Sequence, residues 1–265
     1  MLFKKTISQL TIQSLFRPHA LFLNFAKFVK DYYMYKKQFT EAAKDSIFSL
    51  DNFSLFPCVL DANSDAGQAR GHYFYQDIYV ASQIISNSPK LHLDFGSRVD
   101  GFIGHLISAN LPVVIGDIRP LYIQSSLVSH LQFDLMKAEA VSIVTNKYIS
   151  ISCLHVLEHM GLGRYGDPIN INGHLIALKN IVSLLEEGGL LYVSFPIASE
   201  SRLEFNAHRV FSVEYAEDWF KSLKLKVVDF RYIGDDGYMA DEYTNFRKNM
   251  NVNLSYGCGI WTLAK

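Results

Sequence analysis

From Lys90 onward the chain alternates short apolar runs with stretches of helical spacing, and that alternation leaves few folds open to it. Residues 91–94, 112–117, 131–134, 148–154 and 190–195 read as strands. Residues 102–109, 122–129 and 173–185 read as helices between them. Gly188-Gly189 marks the end of the last of these helices, and Pro196 stops the strand after it. The chain then changes character: 225–233 and 260–264 are apolar runs with no helical pattern between them, which predicts an antiparallel pair at one sheet edge. The expected fold is α/β, a Rossmann-like sheet that is mostly parallel with an antiparallel last strand.

Upstream, residues 1–50 read as helical, with Leu21, Phe22, Phe25, Phe28 and Val29 at helix-like spacing and Pro18 as an early break. Residues 51–70 hold Pro57 and the polar run 61–67, a loop and a domain boundary. A helix over 72–86 leads into the main domain. The organisation expected is a helical appendage and loop over 1–69 and a Rossmann domain over 70–265.

Hydrophobic residues make up 49% and charged residues 19%, which excludes a disordered chain, and a net charge of −1 offers no broad basic face to nucleic acid. The first 40 residues nevertheless carry seven Lys or Arg against Asp31 alone. Such a basic, aromatic segment fits an anionic membrane surface, and it equally fits a helix packed on the domain or on a protein partner. Cys58, Cys153 and Cys258 are far apart, so neither a disulfide framework nor a zinc motif is expected, and a reducing cytoplasm fits. No apolar run reaches the roughly 18 residues of a membrane span, and no signal peptide is expected. The expected location is cytoplasmic, with the inner membrane face as the peripheral alternative.

The strand ends carry the chemistry. Asp94-Phe95-Gly96-Ser97 closes the first strand with a glycine that lets the backbone approach a ligand. Arg98 and Val99 follow, so the phosphate-binding GxGxxG is absent and a dinucleotide held by its pyrophosphate is not supported. Asp117, 21 residues beyond Gly96, ends the second strand where an acid accepts hydrogen bonds from ribose hydroxyls. Asp134 ends the third, within reach of an adenine amino group. Ile118, Leu135 and Leu154, beside these ends, complete the expected cofactor set.

This order, with His155-Val156-Leu157-Glu158-His159 after the fourth strand and Leu185-Glu186-Glu187-Gly188-Gly189 before the fifth, resembles the class I S-adenosylmethionine (SAM)-dependent methyltransferases. The resemblance implies SAM as cofactor, with the first-strand turn under its methionine part, Asp117 on the ribose and Asp134 near adenine. A narrower resemblance is to the uncharacterised methyltransferase-like family called domain of unknown function 268. It rests on the segments DFGSRVDGFIGHL, GDIRP, HVLEHMGLGRYGDPIN and FNAHRVFS, over roughly residues 70–265. That family's surface-polysaccharide contexts imply a sugar or sugar-nucleotide acceptor. The departures are Arg98 and Asp100, which stand where the superfamily turn has glycines. They fit an alternative reading, a non-catalytic or differently catalytic Rossmann-like domain serving as a binding or scaffold subunit.

Methyl transfer to a hydroxyl or amine needs an aligned acceptor and a proton acceptor. His155 and His159, four residues apart past the fourth strand, and Asp167 in the glycine-containing loop after them are the candidate bases. Arg164 and Tyr165 in that loop, and His208 and Arg209 after the fifth strand, are the candidate acceptor contacts, Arg164 by its planar fork. His155, Glu158 and His159 lack the HExxH order, so no metal is expected. The expected partner is a small molecule, not nucleic acid.

Overall fold

A computed structural model describes residues 18–42, 55, 57–59, 67, 69–137, 146–240 and 254–265. Contacts divide the chain into two units, Met1–Gln68 and Ala69–Lys265. The first contains helix α1 (Pro18–Ala42), whose opening proline has no N–H to satisfy at a helix start. Phe22, Leu23 and Tyr33 on it are exposed. Among the described residues no helix is long and apolar enough to cross a membrane. The loop expected over 51–70 and the rest of 1–50 lie largely outside the described residues.

In the second unit α2 (His72–Asn87) precedes β1 (His92–Phe95). A π-helical turn (Val99–Ile103) and α3 (Gly104–Ser108) lead to β2 (Val113–Asp117) and β3 (Val128–Gln132). Then come β4 (Tyr148–Leu154), a 3-10 turn (Leu157–His159), α4 (Gly173–Leu184) and β5 (Leu185–Ile197). The hairpin of β6 (Arg202–Glu204) and β7 (His208–Val210) precedes α5 (Val213–Ser222), β8 (Lys226–Ile233), β9 (Met239–Ala240) and β10 (Gly257–Ala264).

The main sheet runs β3-β2-β1-β4-β5-β10-β8-β9. β1 to β5 are parallel, and β10 is antiparallel to both β5 and β8. Alternate strand residues feed two cores, as the two-residue period of a strand requires. Leu93, Val114, Val193 and Trp261 pack with Ala177, Leu178, Ile181 and Phe220 of α4 and α5. Val113, Ile115, Tyr192 and Ile260 pack with Val80, Ala81 and Ile84 of α2 and Leu106 of α3. Helices therefore cover both faces, and each fully buried Ile or Leu among them contributes about 1.5–3 kcal/mol.

Three local expectations fail for identifiable reasons. Residues 122–127 form no helix, and 128–132 are a strand, because pairing with β2 from Val113↔Val128 to Asp117↔Gln132 outweighs a helical pattern too short to nucleate. Gly188-Gly189 does not end α4, which stops at Leu184, where Leu185 takes extended backbone. Pro196 does not stop β5. Its missing N–H lies on the edge facing β4, as the carbonyls of Ser194 and Pro196 do, and the last residue of β4 pairs two positions earlier, Leu154↔Ser194. Past the end of β4 no ladder donor is needed there, and β10 pairs with Pro196 on the other side.

Candidate functional site

The carboxyl ends of β1 to β4 share one rim, and a cavity of ≈ 250 Å³ opens there. Gly96, Asp117, Ile118, Asp134, Leu135 and Leu154, all expected to hold cofactor, line it together with Phe133 and Val156. Gly96 takes φ +66°, and a Cβ on it would stand 3.0 Å from Val156 Cγ2, so both backbone and space call for glycine. Asp134 accepts the Met136 N–H at 2.9 Å.

Asp117 is already engaged. Its Oδ1 accepts the Arg119 N–H at 2.8 Å and Nε–H at 2.9 Å, and its Oδ2 accepts Nη2–H at 2.7 Å. Arg119 also lies 5.0 Å over the Tyr165 ring and lines the cavity.

Asp94 and Ser97, expected on the cofactor, are instead buried behind the turn and are not among the residues lining the cavity. Asp94 accepts Ser97 Oγ–H at 2.6 Å, Ser97 N–H at 3.1 Å and Ser152 Oγ–H. Ser152 thereby spends its proton, so His92 Nε2–H donates to it at 2.8 Å, and His92 Nδ1 accepts from Ser150 at 2.8 Å. Burial raises the Asp94 pKa to about 6, against the pull of these donors, and lowers that of His92 to about 3. Arg98 stands at the rim, paired with Asp100 at 2.7 Å and 5.2 Å over the Tyr73 ring.

A second cavity of ≈ 490 Å³ adjoins the first, and Tyr73, His155, His159 and Tyr165 line both. His159 Nδ1 lies 2.7 Å from the Ala207 carbonyl, which can only accept, so the proton sits on Nδ1 and Nε2 keeps its lone pair. Burial holds its pKa below the ordinary histidine value, with Glu158 pulling the other way. His155 sits at φ +54° and turns Nδ1 to Glu158 Oε1 at 2.7 Å. Burial lowers its pKa, but Cys258 and Glu158 beside it outweigh burial and leave it well above the ordinary value, which makes it the poorer base. Arg164 and His208 line the second cavity. Arg164 donates to the Ala207 carbonyl at 2.9 Å, and His208 Nε2 stands 3.0 Å from Glu204 Oε2.

Two expectations are corrected. Asp167, expected as a base, is committed to the loop: it lines the first cavity, but its carboxylate accepts the N–H groups of Gly161 at 2.8 Å, Gly163 at 3.2 Å and Tyr165 at 3.2 Å. These bonds take up three of its roughly four lone-pair sites and fix the loop. Arg209 is no acceptor contact: it donates to the carbonyls of Met160 at 2.7 Å and Ile171 at 3.3 Å, clamping both ends of that loop, and lines neither cavity. Sequence reasoning missed Arg119 and Tyr256. The signal for Arg119 was its place two residues after a strand-ending acid, while Tyr256 reaches the site only through the folding back of β10.

Residues 117–216 match the family model described as "Caenorhabditis protein of unknown function, DUF268". That match starts after the β1 turn, so it is narrower than the 70–265 over which the resemblance was read. No curated protein matches the chain in sequence. Among solved structures, the 4+2 cyclase SpnF is similar at 12% identity and TM-score 0.52, over 76% of this chain and 85% of that one. The chain shares that protein's fold, a mostly parallel Rossmann-like α/β sheet with an antiparallel edge. Fainter likenesses join it, with TM-scores below 0.5. One is the 1,6-didemethyltoxoflavin-N1-methyltransferase of Burkholderia thailandensis, at 13% identity, TM-score 0.48, and 71% and 79% of the two chains. Another is an S-adenosylmethionine-dependent methyltransferase of Clostridium acetobutylicum ATCC 824, at 10% identity, TM-score 0.47, and 73% and 92%. A shared fold does not fix the reaction; that depends on the site.

Proposed function

We propose that the chain binds SAM in the first cavity and transfers its methyl group to a small polar acceptor in the second, a sugar or sugar nucleotide of surface-polysaccharide synthesis. The observation that carries this reading is that Asp117 and Asp134, at and just beyond the ends of neighbouring strands, line one cavity with the glycine turn at Gly96. The donor set suits a nucleoside. Asp117 takes the ribose hydroxyls, Asp134 the adenine amino group, and Ile118, Phe133 and Leu135 offer apolar walls to a base. Arg98, at the rim in place of a glycine, offers a cation to the cofactor's methionine carboxylate.

Bound SAM supplies an electrophilic methyl group on a sulfonium that leaves readily. The chain has to align the acceptor and take its proton. His159 is suited to the second task, because its Nδ1–H is held by Ala207 and the ring lines both cavities. Arg164, Tyr165 and His208 surround the acceptor with donors, and a cytoplasmic setting keeps the unpaired cysteines reduced.

The test is calorimetry with SAM and S-adenosylhomocysteine. Micromolar binding is expected in the native chain and its loss in Asp117→Ala. Binding that survives this substitution removes the ribose assignment, and no heat with either compound favours the scaffold alternative.

A further inference from the structure

Beside the second cavity, on the α2 face of the sheet, three ligand-type side chains meet that no one segment encodes. His72 opens α2, His155 follows β4 and Cys258 is the second residue of β10. One ligating atom of each lies within 4.8 Å of the other two. Cys258 and His155 are buried, and His72 is partly so.

The geometry points to a zinc-class divalent cation site formed by His72, His155 and Cys258, with Glu158 as its outer-shell carboxylate. Neither the fold nor the proposed methyl transfer calls for such a site, and it stands without the SAM reading.

The hydrogen bonding leaves these atoms for a metal. Glu158 holds His155 Nδ1, so the other nitrogen, Nε2, is turned away from it; Nε2 is fully buried with no hydrogen-bond partner. A buried nitrogen left that way is costly to the fold. The far oxygen of Glu158, Oε2, is buried and unpartnered as well. The His72 ring packs against those of Tyr256 and His155, with centroids 5.3 and 5.4 Å away. The Cys258 thiol lies beside the His155 ring and makes a weak contact, 3.6 Å, with the carbonyl of its own neighbour Gly259. A carboxylate on the rear nitrogen of a liganding histidine is the usual outer-shell arrangement, fixing ring and tautomer.

Two imidazoles and a thiolate favour zinc over the oxygen-seeking magnesium and calcium. Tetrahedral zinc, with bonds of roughly 2.0 Å to nitrogen and 2.3 Å to sulfur, needs its donors roughly 3.3–3.8 Å apart. The three atoms lie within 4.8 Å of one another, so the cluster has to contract and the near-parallel His72 and His155 rings have to turn for a metal to bind; His72, first in its helix and only partly buried, is the ligand placed to move. Three protein ligands leave a coordination position for a small molecule or water, and His72 and His155 both line the second cavity, so that position faces the cavity.

The full chain, stripped with chelator, would be titrated with zinc against a chromophoric chelator and, in parallel, with cobalt(II). The expected result is one ion per chain and a near-ultraviolet thiolate-to-cobalt band. Glu158→Gln should weaken zinc by roughly 10- to 100-fold. Cys258→Ser should abolish the cobalt band, and His72→Ala should weaken zinc by more than Glu158→Gln does. His72 is only partly buried, so its variant keeps the test open if the buried ones fail to fold, with circular dichroism as the check. Substoichiometric metal, a missing cobalt band, or zinc held equally well by folded His72→Ala would overturn the site. Calorimetry with S-adenosylhomocysteine on the same samples reports the nucleoside cavity separately.

Discussion

At the scale of single residues, the site is decided by which polar atoms are already spent. Asp167 and Arg209 have chemistry suited to catalysis and recognition, yet their atoms are taken up by backbone N–H and carbonyl groups of the loop they hold. His159 is the opposite case, with Nδ1 held by a carbonyl at 2.7 Å and Nε2 3.7 Å from Glu158 Oε1, beyond hydrogen-bond reach. Asp117 lies between, since Arg119 occupies both its oxygens. The Arg119 side chain is 51% exposed and that of Asp117 12%, so the pair is worth no more than about 1 kcal/mol. Ribose hydroxyls that displace it gain most of what they need from the same carboxylate. Arg119→Ala is therefore expected to tighten S-adenosylhomocysteine by up to about fivefold in calorimetry. Weaker binding in that variant would mean that Arg119 itself touches the ligand.

At the scale of elements, the segment from the 3-10 turn at Leu157–His159 to the start of α4 has no strand or long helix to hold it. Its rigidity comes from Asp167 inside and Arg209 outside. Asp167→Ala leaves three N–H groups without their acceptor, at a local cost of about 1–3 kcal/mol. The expected outcome is faster amide exchange confined to residues 161–167, with the sheet as protected as before and the SAM affinity reduced. Exchange unchanged in the loop would mean that Arg209 alone holds it. The strands needed no such device. β1, β2 and β4 were legible because a parallel strand buried on both faces is a nearly unbroken apolar run. β3 was partly missed because its exposed and half-buried positions blur that run.

At the scale of the whole molecule, buried titrating groups pull stability in opposite directions. Burial lowers His92 to about 3, and burial with Arg209 nearby lowers His174 to about 4, both from 6.5. The unfolded chain binds the protons these two refuse, so the stability they contribute is complete above pH 6.5 and is lost as pH falls toward 4. Asp94 works the other way. Burial raises it from 3.8 to about 6, so its contribution is present at low pH and lost as pH rises through 6. Urea midpoints should fall between pH 6.5 and 4.5, and fall more steeply in Asp94→Asn, where the compensating carboxylate is gone. Equal slopes in the two proteins would show that Asp94 is not the opposing group.

The sequence by itself determined the layered α/β arrangement, the antiparallel pair near its end and the rim where Gly96, Asp117 and Asp134 meet. Those follow from periodicity and from which residue types end a strand, both local properties of the chain. Tertiary structure alone decided the commitments of the polar atoms: Asp94 turned inward to Ser152, Arg119 closed on Asp117, and Cys258 brought from the last strand to His72 and His155. A hydrogen-bond partner or a ligand neighbour is a matter of distance in space. Where the partner arrives from a strand 100 or more residues away, as Cys258 does, no spacing along the chain records it.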